Sequence, residues 1–125
     1  MRCAVVLLIV SAGLGACRGN NPDYSIAYSV ATGGDPARGR RTIEARNCGR
    51  CHVIPGVRTA DGQSAPPLLW FSRRTFIAGE VPNTPANLVQ WVQRPQSIEP
   101  GTAMPDLGLN THEARDVAAY LYTLR

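Results

Sequence analysis

Cys48-Gly49-Arg50-Cys51-His52 is the densest group of reactive side chains in this 125-residue chain. Two thiols three residues apart fall on one tight turn. There they can form thioethers to the two vinyl groups along one edge of a porphyrin. The adjacent imidazole can turn beneath the ring and give a nitrogen to iron, which makes C-x-x-C-H a haem-attachment signature in an exported chain. Three other chemistries compete. A thioredoxin-like C-x-x-C needs a βαβ setting, and no strand pattern precedes Cys48. Structural zinc needs four ligands, and His112 and Cys17 do not complete a set at any common spacing. A disulfide between Cys48 and Cys51 would strain a short loop and leave His52 without a part.

A haem iron held by His52 has a second axial position. Apart from Met1 the chain has one methionine, Met104, and apart from His52 one histidine, His112. Met104 sits in Pro100-Gly101-Thr102-Ala103-Met104-Pro105, a stiff, non-helical stretch able to present a sulfur. His112 falls at the first position of the expected last helix, where an exposed side chain is the plain expectation. Met104 is therefore the favoured sixth ligand, with His112 and an open site as the alternatives. A thioether favours reduced iron and raises the potential.

The elements that must position these groups lie between Asp35 and Arg125. Asp35-Pro36 reads as an N-cap and first-turn pair, opening a helix to about Asn47 with Gly39 and Ile43 on one face. A second helix should start at Thr84-Pro85 and stop before Pro95. A third should take Thr111 as N-cap, with Val117, Tyr120, Leu121 and Leu124 at i, i+3, i+4 and i+7 as one apolar stripe. Residues 53–82 and 96–110 show no period. So many irregular residues are too many for an ordinary core, and a large flat apolar cofactor would organise them.

Ahead of this unit, Met1-Arg2-Cys3 is followed by an apolar run from Ala4 to Val10 and small residues to Ala16. That is the anatomy of a secretory signal, residues 1–16, and too short for the roughly 20 residues of a membrane span. Leu14-Gly15-Ala16-Cys17 resembles a bacterial lipobox, which makes Cys17 a candidate lipidated first residue; ordinary cleavage would leave it an odd thiol. Residues 17–34, polar and rich in Gly, Asn and Ser, read as the lipidated end and a flexible tether with a reach of roughly 20–25 Å. The expected location is periplasmic or on the outer face of the cytoplasmic membrane. All thirteen basic residues are arginine, against nine acids. Loss of Arg2 leaves twelve against nine, near +3, with the arginines scattered, so nucleic-acid binding is not expected.

Taken together, Gly39-x-x-x-Ile43, Cys48-x-x-Cys51-His52, Pro66-x-Leu68, Met104-Pro105 and Tyr120-Leu121 resemble the class I, mitochondrial-type cytochromes c over nearly all of residues 35–125. The resemblance implies an all-α fold, three main helices and loops wrapped around one covalently bound haem c. It implies that the first and last helices cross at Gly39 and Tyr120, and that the Pro66 carbonyl takes the second N–H of His52, with Leu68 beside it. It also implies that Arg74 and Trp91 meet haem propionates. The chain departs from the pattern at Ala65, where a glycine is usual, and at Trp70-Phe71. Ile77-Ala78-Gly79, Asn83-Thr84-Pro85 and Ala103 to Gly108 look like small bacterial cytochromes that accompany haem–copper terminal oxidases. The expected function is single-electron transfer, with a quinol-oxidising complex as donor, a terminal oxidase as acceptor, and no catalytic residue. The rivals are a dedicated haem subunit of a dehydrogenase or reductase, and a sensor or peroxidase-like protein with open iron.

Overall fold

The computed structural model describes residues 27, 29 and 31–125. The expected export segment and Cys17 lie outside the described residues. Three α-helices form the frame: α1, Pro36–Ala45; α2, Pro85–Gln93; and α3, Thr111–Thr123. The fold is mostly helical, as expected.

Each helix starts where local chemistry dictates. The Asp35 side chain accepts from the Arg38 amide at 2.7 Å, and Pro36 occupies the first turn, where its missing N–H costs nothing. Thr84 caps α2 in the same way through the Asn87 amide. At α3 the cap is Asn110 rather than Thr111. Asn110 accepts from the Glu113 amide at 3.0 Å while Glu113 accepts from the Asn110 amide at 2.9 Å, a reciprocal capping box. His112 is thus the second residue of α3. The first helix ends at Ala45, short of Asn47, because Asn47 takes a left-handed conformation, φ 55°, and turns the chain into a 3-10 turn, Cys48–Arg50.

Helix α3 is gripped on several sides. Beyond the expected stripe of Val117, Tyr120, Leu121 and Leu124, it also buries Ala114, Asp116, Ala118, Ala119 and Tyr122. Gly39 explains how close α1 comes: a Cβ built there would lie 1.9 Å from the Asp116 carbonyl oxygen. Only glycine lets the two backbones meet. The crossing is locked by Asp116, which is 6% exposed. Its carboxylate accepts from Arg38 Nε and Nη2 at 2.8 and 2.9 Å and from the Asp35 amide at 2.6 Å. Burial pushes the Asp116 carboxyl up, but the Arg38 hydrogen bond and the Asp35 amide outweigh it, and the net position is below the usual carboxylate range.

Two expectations are revised. The tether was expected to run to Gly34, but Ala27, Ser29, Ala31 and Thr32 are helical, and Thr32 and Gly34 are buried. Gly34 lies against the backbone of α3 at Arg115 and Asp116, which ties this stretch to the domain. Residues 53–82 also contain a small antiparallel hairpin, β1 (Phe76–Ile77) with β2 (Val81–Pro82). Its turn places Ala78 at φ 55° and Gly79 at φ 81°. Alanine rarely takes that conformation, so the Ala-Gly pair carries little turn signal.

Candidate functional site

The site begins where α1 ends. Asn47 reverses the chain, and the turn closes with the Cys51 and His52 amides donating to the Cys48 carbonyl at 3.2 and 3.1 Å. The next loop is sewn onto this turn: Gly62 N–H donates to Gly49, Ala65 N–H to Cys51 and Leu68 N–H to Val53, all at 2.8–3.0 Å. A Cβ at Gly62 would sit 2.2 Å from the Arg50 carbonyl oxygen, so the two strands of chain approach as closely as backbone permits.

This stitching delivers Pro66 to His52. His52 Nδ1 and the Pro66 carbonyl oxygen are 2.7 Å apart. A carbonyl can only accept, so Nδ1 carries a proton, which in the neutral imidazole leaves the lone pair on Nε2, the tautomer a metal requires. Tyr120 braces the same region from α3, donating to the Pro55 carbonyl at 2.6 Å. Burial pushes its hydroxyl up from its ordinary value, so it stays a donor.

An apolar cleft opens beside the turn. Cys48, His52, Leu68, Trp91 and Met104 all line it, with Ile43, Leu88, Val92, Val117 and Leu121 contributing from the three helices. Cys48 and Cys51 are both free thiols, Cys48 partly buried and Cys51 exposed. Burial pushes the Cys48 thiol up, so the sulfur facing the cleft is held uncharged.

The residues singled out from the sequence therefore divide. Cys48, His52, Leu68, Trp91 and Met104 share the cleft, and Pro66 reaches it through His52. Cys51 is on the same turn but exposed. Arg74 is not among the lining side chains; its guanidinium donates to the Pro67 carbonyl and lies 5.3 Å from the centre of the Phe71 ring. The Phe71–Arg73 turn that precedes it is entered through Trp70 at φ 51°, within the Trp70-Phe71 departure already visible in the sequence. His112 is exposed and does not line the cleft. Sequence reasoning missed Phe71, which is buried in the cleft wall. It also missed Arg46 and Gln96, which reach the loop of Met104. Nothing in their spacing marks them, because each acts on a backbone carbonyl far along the chain.

The chemistry of this donor set fits a covalently attached haem. One thiol and an imidazole with Nδ1 engaged line an apolar cleft, the second thiol lies on the same turn, and the cleft's other lining groups are almost all apolar, with one thioether among them. Zinc is a poor fit: among the described residues no three His, Cys, Asp or Glu side chains cluster around a common point.

The cytochrome c family model matches residues 36–125. The chain is 34% identical over 89 residues to cytochrome c oxidase subunit 2 of Alkalihalophilus pseudofirmus, covering 70% of this chain and 25% of that protein. It is 30% identical over 87 residues to the subunit of the same name in Bacillus subtilis, covering 68% and 24%. For that of Bacillus sp. PS3 the figures are 33% over 96 residues, covering 73% and 27%. The chain thus spans about a quarter of the length of the curated relatives it matches.

Proposed function

This chain belongs to the cytochrome c family, and from that premise we propose that it carries single electrons toward a haem–copper terminal oxidase on the outer side of the cytoplasmic membrane. The family implies one covalently bound haem c, and its members are typically electron carriers rather than catalysts. In this reading Cys48 and Cys51 would form the thioethers, and His52 and Met104 would hold the iron. The group would supply a one-electron couple when bound.

The chain's own residues do the rest. Pro66 holds the His52 tautomer and ring orientation. The apolar wall from Ile43, Ile54, Leu88, Val92 and Leu121 excludes water. With its sulfur on the iron, Met104 would raise the potential and exclude small molecules. The observation that carries the reading is that one apolar cleft is lined by both His52, with Nδ1 already engaged, and Met104.

A domain like this one forms about a quarter of proteins named cytochrome c oxidase subunit 2. A donor that oxidises quinol completes the reading. Residues 1–16 direct export and Cys17 carries the lipid, so the domain works tethered to the membrane surface. Docking is weak and transient, as redox encounters are.

Visible spectra of the purified oxidised and reduced protein test the cofactor and ligands. Sharp reduced bands and a weak far-red band in the ferric form are expected, with the far-red band lost in Met104→Ala. Rapid carbon monoxide binding to the native ferrous protein would refute the sixth ligand. Reoxidation of the reduced protein by a detergent-purified haem–copper oxidase tests the acceptor; a rate no faster than autoxidation would refute it. Metabolic labelling with palmitate, absent in Cys17→Ser, tests the anchor.

A further inference from the structure

The loop carrying Met104 has its apolar anchors at one end, where Leu109 joins the core and Leu107 packs against it. Between Ile98 and Asn110 only Leu109 is buried, and Gly101 and Gly108 stand at φ 91° and 64° with no atom within 4 Å of the place a Cβ would take. Two side chains from outside also hold it. Gln96 Nε2 donates to the carbonyl of Met104 itself at 2.7 Å. Arg46 Nη1 donates to the Leu107 carbonyl at 3.1 Å, while its Nη2 pairs with Glu113 at 2.9 Å.

Both anchors are themselves fixed. Gln96 lies in the 3-10 turn Pro95–Ser97, whose Pro95 is fully buried and whose Ser97 hydroxyl donates to the Arg94 carbonyl at 2.7 Å. Arg46 is the C-cap of α1, two residues before Cys48, and Glu113 belongs to the capping box of α3. The Met104 loop is therefore clasped on one side from the turn that follows α2 and on the other from the C-cap of α1.

We propose that Gln96 and Arg46 are positioning residues for the Met104 sulfur, setting how readily an external ligand displaces it from iron. This rests on Met104 being the sixth ligand. Each bond restrains a carbonyl within three residues of the sulfur, so losing one frees the loop to swing outward without opening the core. A single hydrogen bond of this kind alters such an equilibrium by about 2- to 10-fold.

The test is imidazole binding to the ferric holoprotein, followed through the far-red band. Gln96→Glu keeps the size of the side chain but removes the N–H donor, and Arg46→Gln removes both Arg46 bonds. Each should tighten apparent imidazole affinity by about 2- to 10-fold, and the double variant by more than either. Arg38→Ala, which loosens the α1–α3 crossing away from the loop, should lower thermal stability and leave imidazole affinity unchanged. Unchanged affinity in both Gln96→Glu and Arg46→Gln, with the far-red band present in the wild type and absent in Met104→Ala, would overturn the clasp and leave the ligand assignment standing. A far-red band that survives Met104→Ala would overturn the ligand assignment and the clasp with it. An equal gain in affinity in Arg38→Ala would overturn the clasp, since general loosening would then explain it.

Discussion

Replacing Gly39 with alanine puts the α1–α3 crossing to a quantitative test. The new Cβ would lie 1.9 Å from the Asp116 carbonyl oxygen, 2.5 Å from its carbon and 3.0 Å from the Val117 nitrogen. All three are backbone atoms inside a helix, so no rotamer change can relieve the contact. The helices must part by roughly 1.5 Å to regain ordinary van der Waals spacing. Overpacking of this kind costs about 1–3 kcal/mol, and a rigid backbone obstacle puts it at the upper end. Alanine returns about 1 kcal/mol through its better helix propensity, which leaves a net loss of about 2 kcal/mol. The separation also pulls Asp116 from the Asp35 amide and Arg38, so the lock weakens with the packing. For a domain of this size the melting temperature should fall by roughly 8–16 °C. Thermal melts of the holoprotein followed by far-ultraviolet circular dichroism read it directly. Ala37→Gly, on the exposed face of α1, isolates the propensity contribution. A Gly39→Ala protein that melts at or above the wild-type temperature would refute the close-approach argument.

Other outcomes follow from the same geometry. The Asp116 carboxyl sits below its unfolded value, so its contribution is present above about pH 4 and is lost as pH falls through the lower folded value; Asp116→Asn should be less stable at neutral pH and show a shallower acid-side loss in pH-dependent urea melts. Cys48→Ser and Cys51→Ser should each leave one thioether, and the double variant none, so acid-acetone should extract haem only from the double variant. Tyr120→Phe loses the bond to Pro55 at a cost of about 1 kcal/mol, read as a lower urea midpoint. Asn110→Ala should cost about 1 kcal/mol by removing the capping box of α3, with the cofactor spectrum unchanged.

Much of this protein is written in short stretches of the chain. The C-x-x-C-H turn, the caps at Asp35 and Thr84, and the apolar stripe of α3 depend on neighbours a few residues apart, so their chemistry is visible in one dimension. Residue type also singled out Met104, because so few side chains other than His52 can ligate iron. The helix ends were less legible: Asn110 and Thr111 are both good caps, and only the reciprocal bonds with Glu113 decide between them. The hairpin at residues 76–82 was hidden by an alanine at positive φ, and the helical, buried end of the expected tether by its polar composition.

What tertiary structure alone decided is where distant polar groups come to rest. That Asp116 fastens the start of α1, that Pro66 orients His52, and that Gln96 and Arg46 hold the Met104 loop all join positions between 8 and 81 residues apart. Arginine, glutamine and aspartate have no period that reveals such partners, because a hydrogen bond to a backbone carbonyl is indifferent to which residue supplies the carbonyl. The sequence by itself determined which atoms can bind the cofactor, since reactivity belongs to residue type and local spacing. Packing determined how firmly they are held, since that depends on which backbones are brought within reach.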